Sequence, residues 1–268
     1  MTPWERLLAT PHAGGHFVQL YHSGDAGLVG NVGHYLWEGL KRGEGVLLVS
    51  TAEHQAQFVR YLEHRGADLA TLLESGRLVS RDAEHTLARL TVDGHPDWRL
   101  FEKEICAAVR DVHPADGVHG LRAYGEMVGI LWQARRFAAA IRLEQLWNRL
   151  LEQSSFSLYC AYQVDLFAQE CDVANLEHVL CTHTHLIPAD SDGKLEAAVQ
   201  RSMDEVLGPR AEEIRARIKA NYRAAWAVMP TAENTLLWLR RYLPDGADRI
   251  VSLARQYYLR ESHSRQAA

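Results

Sequence analysis

Cys181, His183 and His185 alternate with threonines, so on an extended strand one thiol and two imidazoles would project from the same face. Thiolate and imidazole suit zinc or iron, and a fourth ligand would have to come from elsewhere, Cys171 or His16 for instance. The plainer alternative is polar histidines near a strand end, capping helices or bonding backbone. Apart from that half-site no cofactor is expected. Nucleophilic chemistry finds little support, because the chain has no GxSxG elbow and no HExxH pair, and Cys106 and Cys160 stand in apolar helix and strand contexts.

A second group of residues bears on phosphate chemistry. A phosphate loop needs GxxxxGK followed by Ser or Thr: backbone N–H groups cradle the phosphates, lysine neutralises their charge and the hydroxyl holds magnesium. Here the segment reads Ser23-Gly24-Asp25-Ala26-Gly27-Leu28-Val29-Gly30-Asn31-Val32, which keeps glycines, has neither the lysine nor the Ser or Thr after it, and adds the negative Asp25. Phosphoryl transfer depends on such charge stabilisation, so ATP hydrolysis is not expected.

The elements that position these residues alternate. Strand-like runs at about 17–22, 45–51, 77–80, 120–124, 156–162 and 179–186 are separated by helical patterns at about 29–42, 53–64, 98–112, 126–134 and 136–152. Such alternation predicts an α/β fold with a mainly parallel sheet flanked by helices. Leu143, Leu146, Trp147 and Leu150 recur at helical spacing as one buried stripe, and Gly43 follows a helix end where a left-handed cap suits glycine. After Pro188 only helical stripes remain, punctuated at Gly208-Pro209, Met229-Pro230 and Pro244-Asp245-Gly246. We expect two units, 1–188 and a four-helix extension 189–268, with the polar segment from Ser262 frayed.

In open parallel sheets ligands bind beyond the carboxyl ends of the strands, which selects Tyr21, His22, Ser23, Thr51, Glu53, Tyr124, Glu126 and Tyr162. Glu126, next to Gly125, either binds a ligand, acts as a base, or stabilises a helix N-terminus. Trp132, Trp147 and Asn148 lie on the following helices. The tryptophans suit core packing or an aromatic wall, and Asn148 suits a structural hydrogen bond or a ligand contact.

Composition narrows the field. A formal charge of −5 gives no bulk attraction to nucleic acid, and no apolar run approaches the roughly 20 residues of a membrane helix. The start of the chain has no basic segment leading into an apolar stretch, and four separated cysteines without a CxxC pair read as reduced thiols, so a cytoplasmic setting is expected.

From Tyr21 to Ala83 the order of strand, glycine-bearing turn, helix and EGLKRGEGVLLVST resembles the opening of a KaiC-type, RecA-like ATPase domain. In that family acidic residues after the second strand activate water; here only Glu53 remains of the pair. Three further motifs, RAYGEMVGILW (122–132), LEQLWNR (143–149) and FSLYCAY (156–162), resemble the MEDS family, sensory domains derived from the KaiC-like plan, over residues 16–188. The resemblance implies a non-catalytic bacterial or archaeal sensor of a small organic, even hydrocarbon-derived, ligand. It also implies a signalling partner, a kinase or a regulator. RecA-like domains often associate, so a homo-oligomer is expected. Two alternatives stay open: a divergent nucleotide-binding ATPase acting through Glu53 and Glu126, or a metal-binding or DNA-associated transcription regulator using the basic stretch Arg210, Arg215, Arg217, Lys219 and Arg223.

Overall fold

The computed structural model describes residues 2–21, 26–115, 118, 120–168, 171–189, 193–221 and 228–266. The strands are β1 (His16–Tyr21), β2 (Gly45–Ser50), β3 (Leu78–Asp82), a short hairpin of β4 (Thr91–Val92) and β5 (His95–Pro96), then β6 (Leu121–Gly125), β7 (Ser157–Gln163) and β8 (His185–Ile187). Every residue of HFVQLY in β1 and of GVLLVS in β2 is buried, where a sheet wet on one face would alternate. Burial on both faces requires helices on both, and that is what the chain builds.

Apart from the hairpin the strands form one six-stranded sheet in the order β3-β2-β6-β7-β1-β8, with every pairing parallel. On one face lie α1 (Pro3–Ala9), α2 (Ala26–Lys41), α3 (Ala52–His64) and α4 (Leu69–Glu74), packed on Phe17, Val46, Leu48, Tyr124 and Tyr159. The other face carries α5 (Ala83–Arg89), α6 (Trp98–Arg110), α7 (Met127–Gln133), α8 (Phe137–Leu151) and α9 (Val173–Leu180), packed on Val18, Leu47, Ala123, Leu158 and Cys160. Gly43 takes φ +80° between α2 and β2, the left-handed turn expected of it. Gly129 lets α7 lie against β7, since a Cβ there would sit 2.7 Å from the Ala161 carbonyl oxygen.

The helical region after β8 comprises α10 (Lys194–Leu207), α11 (Arg210–Asn221), α12 (Thr231–Tyr242) and α13 (Pro244–Gln266). Pro244 opens α13, where its missing N–H costs nothing, and the helix runs past Ser262, where fraying was expected. Leu195, Val199, Leu236 and Ile250 of these helices share one continuous core with Leu20, Leu166 and Leu186. Val228 also adds backbone bonds beside β8, donating to Thr184 O at 2.9 Å and accepting from Leu186 N at 2.8 Å.

One expected strand is corrected. Residues 179–186 do not form a strand: Asp172 caps a helix by accepting from Asn175 N at 3.1 Å, and Leu176, Val179 and Leu180 bury at helical spacing. Extended backbone begins only at His185.

Candidate functional site

Strands β2 and β6 are neighbours, yet α3 leaves β2 towards one face and α7 leaves β6 towards the other. Crossovers that part in this way open a crevice beyond the strand ends. There lies a cleft of about 1170 Å³, walled by Tyr21, Thr51, Glu53, His54, Tyr61 and Glu126.

Glu126 is the centre of its polar wall. It follows β6 at φ −105°, ψ −7°, makes no cap to its own helix, and is 3% exposed. Its Oε2 accepts instead from the Thr51 backbone N–H at 2.8 Å and the Thr51 hydroxyl at 3.1 Å. Its Oε1 bonds His54 Nδ1. Thr51 is the N-cap of α3, so the cap that starts this helix also ties the two strand ends together. The hydrogen bond to Glu126 raises the His54 pKa above the ordinary histidine value, outweighing burial, and the neighbouring Glu126 and Glu53 charges add to it. His54 stacks on Phe58 and meets the edge of Tyr21, whose hydroxyl is pushed up by burial and then by Glu126 and Glu53. With both oxygens engaged, Glu126 is a fixed acceptor, poorly placed to take a proton from water.

Arg60 and Arg65 of α3 and its flank also border the cleft, and the Arg65 guanidinium lies 5.0 Å from the Tyr61 ring centre. Sequence reasoning missed these cations along with His54. For His54 and Arg60 the available signal was spacing, since 53, 54, 57, 60, 61 and 64 share one face of the helix after the second strand.

The remaining sequence-selected residues that the structure describes lie elsewhere. His22 and Ser23 fall outside the described residues, as do Gly24 and Asp25. Tyr124 is fully buried between Phe58 and Tyr159. Trp147 is core, edge-on to Phe101 at 5.1 Å, and Trp132 packs on Phe137 and Tyr162. Tyr162 and Asn148 sit on the α8 face of the sheet, away from the cleft. There Tyr162 donates to Glu144 at 2.5 Å and Asn148 bonds His16 at 2.8 Å.

The expected face of Cys181, His183 and His185 does not form. Cys181 caps α9 and is exposed, His183 is buried beneath α8, and His185 packs on Phe17 and His12 on the opposite side. A two-residue period needs extended backbone, and 181–184 is a turn instead.

Among the described residues no helix is long and apolar enough to cross a membrane. Comparison with curated proteins finds no match for this chain. The family model for the MEthanogen/methylotroph, DcmR Sensory domain matches residues 15–184, a span that runs from the start of β1 to the start of β8 and holds the whole cleft. Since that span is well over half of the chain, the protein belongs to the MEDS family of sensory domains.

Proposed function

We propose that this protein is a non-catalytic signal-transduction sensor on a KaiC-like plan, which takes a small organic ligand in the cleft over the ends of β2 and β6. The observation that carries this reading is the Glu126 arrangement: a buried carboxylate held on both oxygens, facing a cleft that also offers the apolar surfaces of Tyr21, Val29 and Tyr61. Such a wall orients one polar group of a ligand and leaves the rest to aromatic and aliphatic contact. The sequence around 23–32 lacks the phosphate-loop lysine and the Ser or Thr that follows it, which favours recognition over hydrolysis.

The response passes to a protein partner through the C-terminal helices. A second cleft, bordered by Asp165, Phe167, Arg255 and Tyr258, adjoins the first across the Gln133–Gln163 bond of 2.7 Å, so a change at the strand ends is felt beside α13. Nucleic acid is a poor partner, because Arg215 is paired with Asp204 and Glu212, and Arg217 with Glu213. A cytoplasmic setting and a homo-oligomer complete the proposal.

A second reading, nucleotide binding without turnover, draws on Arg60 and Arg65 at the cleft rim. Thermal shift against alcohols, amines, halogenated hydrocarbons, carboxylates and nucleotides separates the two. The sensor reading expects stabilisation by a small organic compound, lost in Glu126→Gln, and no phosphate release from ATP and magnesium above a Glu53→Gln/Glu126→Gln control. Phosphate release well above that control would overturn it.

A further inference from the structure

Beneath α8, on the sheet face away from α2 and α3, four side chains from four segments converge. His16 opens β1, Cys160 lies in β7, Glu144 is on α8, and His183 follows α9. Val18 pairs with Cys160 in register, and His16, two residues before Val18, shares its face. All four are buried, and one ligand atom from each lies within 4.8 Å of the others.

The hydrogen bonds decide which ring nitrogens carry protons. Asn148 Nδ2 donates to the Thr182 carbonyl at 2.8 Å, so Asn148 Oδ1 must face His16 Nδ1, also at 2.8 Å, and that nitrogen must donate. His183 Nδ1 lies 2.8 Å from the Val179 carbonyl and donates likewise. With Nδ1 donating, Nε2 of each ring offers its lone pair whenever that ring is neutral. His16 Nε2 faces Glu144 Oε2 at 3.3 Å and Cys160 Sγ at 3.5 Å, and His183 Nε2, which has no hydrogen-bond partner among the described residues, faces Glu144 Oε1 at 3.3 Å. Lone pairs aimed at a buried carboxylate need a positive charge among them. Among the described residues no lysine or arginine bonds Glu144.

We propose that His16, Glu144, Cys160 and His183 are the four ligands of a closed, structural site for a divalent transition-metal ion, with zinc the best match. A tetrahedral ion with bonds of about 2.0 Å to N and O and about 2.3 Å to S spaces its ligand atoms by roughly 3.3 to 3.6 Å. His16 Nε2 lies 3.3 Å from Glu144 Oε2 and 3.5 Å from Cys160 Sγ, and His183 Nε2 lies 3.3 Å from the other Glu144 oxygen, all at that spacing; Cys160 Sγ to Glu144 Oε2, at 3.7 Å, would close slightly around an ion. On binding, the Cys160 S–H proton leaves for solvent and a metal–sulfur bond forms. The ion's two charges then equal those of the Glu144 carboxylate and the thiolate, so the buried site is neutral. Its surroundings are those of metal centres: each imidazole gives its other N–H to an oxygen, and the carboxylate accepts from Tyr162. Asn148 and Tyr162 are thereby positioning residues for this centre. The ion would join β1, β7, α8 and the loop before β8, well apart from the strand-end cleft, and its existence does not depend on the sensor reading.

The test uses the untagged full-length chain. Metal content is measured by mass spectrometry after purification without chelator, and the chelator-stripped protein is titrated with cobalt and then zinc, with circular dichroism reporting the fold. We expect about one zinc per chain. Cobalt should give the intense visible bands of a tetrahedral site and a thiolate charge-transfer band that zinc abolishes and Cys160→Ser lacks. Asn148→Ala, which leaves every ligand in place, should weaken zinc binding ~10–100-fold. If Cys160→Ser does not fold, the wild-type cobalt spectrum and Asn148→Ala decide. A folded wild-type chain that takes up no cobalt overturns the proposal, as does a cobalt spectrum without a sulfur band or one unchanged in Cys160→Ser.

Discussion

Thr51 and Glu126 join the ends of two adjacent strands whose helices leave in opposite directions: the Thr51 N–H and hydroxyl both donate to one carboxylate oxygen, at 2.8 and 3.1 Å. Both residues line the cleft over the strand ends. Replacing Glu126 by Gln keeps the shape and removes the charge. Loss of charge-assisted bonds at a buried site should destabilise the protein by ~1.5–3 kcal/mol in urea unfolding, and Thr51→Val should be non-additive with it in a double-mutant cycle.

The same carboxylate makes stability pH-dependent through His54, which faces Glu126, Glu53, Tyr21 and Phe58. Its pKa in the folded protein is raised. The stabilisation is therefore fully present below the unfolded value, about 6.5, and fades as pH rises through the folded value. Melting temperatures of wild type and His54→Gln should differ most in mildly acidic buffer and converge in alkaline buffer. A gap that widens with pH would show the opposite linkage.

At the other end of β6, Arg122 is fully buried and bonds Glu44 as well as the carbonyls of Leu8, Ala9 and Tyr35. One side chain thus anchors α1 to the sheet. Arg122→Leu leaves Glu44 and three carbonyls without their donor and should cost ~3–5 kcal/mol, with early proteolytic release of the first residues.

Gly129 and Gly30 offer a matched pair. A methyl at Gly129 would meet the Ala161 carbonyl at 2.7 Å, whereas one at Gly30 meets nothing within 4 Å among the described residues. Gly129→Ala should destabilise by ~1–3 kcal/mol, while Gly30→Ala, inside α2, should stabilise by ~0.4–1 kcal/mol. Chemical denaturation of both measures the contrast.

Because Leu195 and Leu236 share a core with Leu20 and Leu166, a chain ending at Pro188 should expose apolar surface and lose the Val228 bonds beside β8. We expect the shortened chain to aggregate, and the full chain to unfold in one calorimetric transition. Two separated transitions would mark an independent C-terminal unit.

Periodicity and turn chemistry sufficed for most of the architecture, since the buried strands announce themselves as apolar runs and Pro188 marks where helices take over. The same local rules misread 179–186, where apolar residues fit a strand and only the Asp172 cap and the packing of Leu176 and Leu180 select a helix. For the cleft, strand-end logic named Tyr21, Thr51, Glu53 and Glu126 from sequence, but the partner of Glu126 is on another crossover, and no spacing rule pairs 54 with 126. The buried cluster is further from reach: His16, Glu144, Cys160 and His183 are separated by most of the domain, and the register of β1 against β7 and the depth of α8 bring them together. Sequence reasoning named His183 and His16 as candidate ligands but grouped them with Cys181 and His185, and it passed over Glu144, a carboxylate on the helix face of Ala140, Trp147 and Leu151, all of them buried. Hydrophobic period is a property of neighbours along the chain and is written in the sequence. A convergence of polar atoms from four segments depends on how layers stack, which only the folded chain decides.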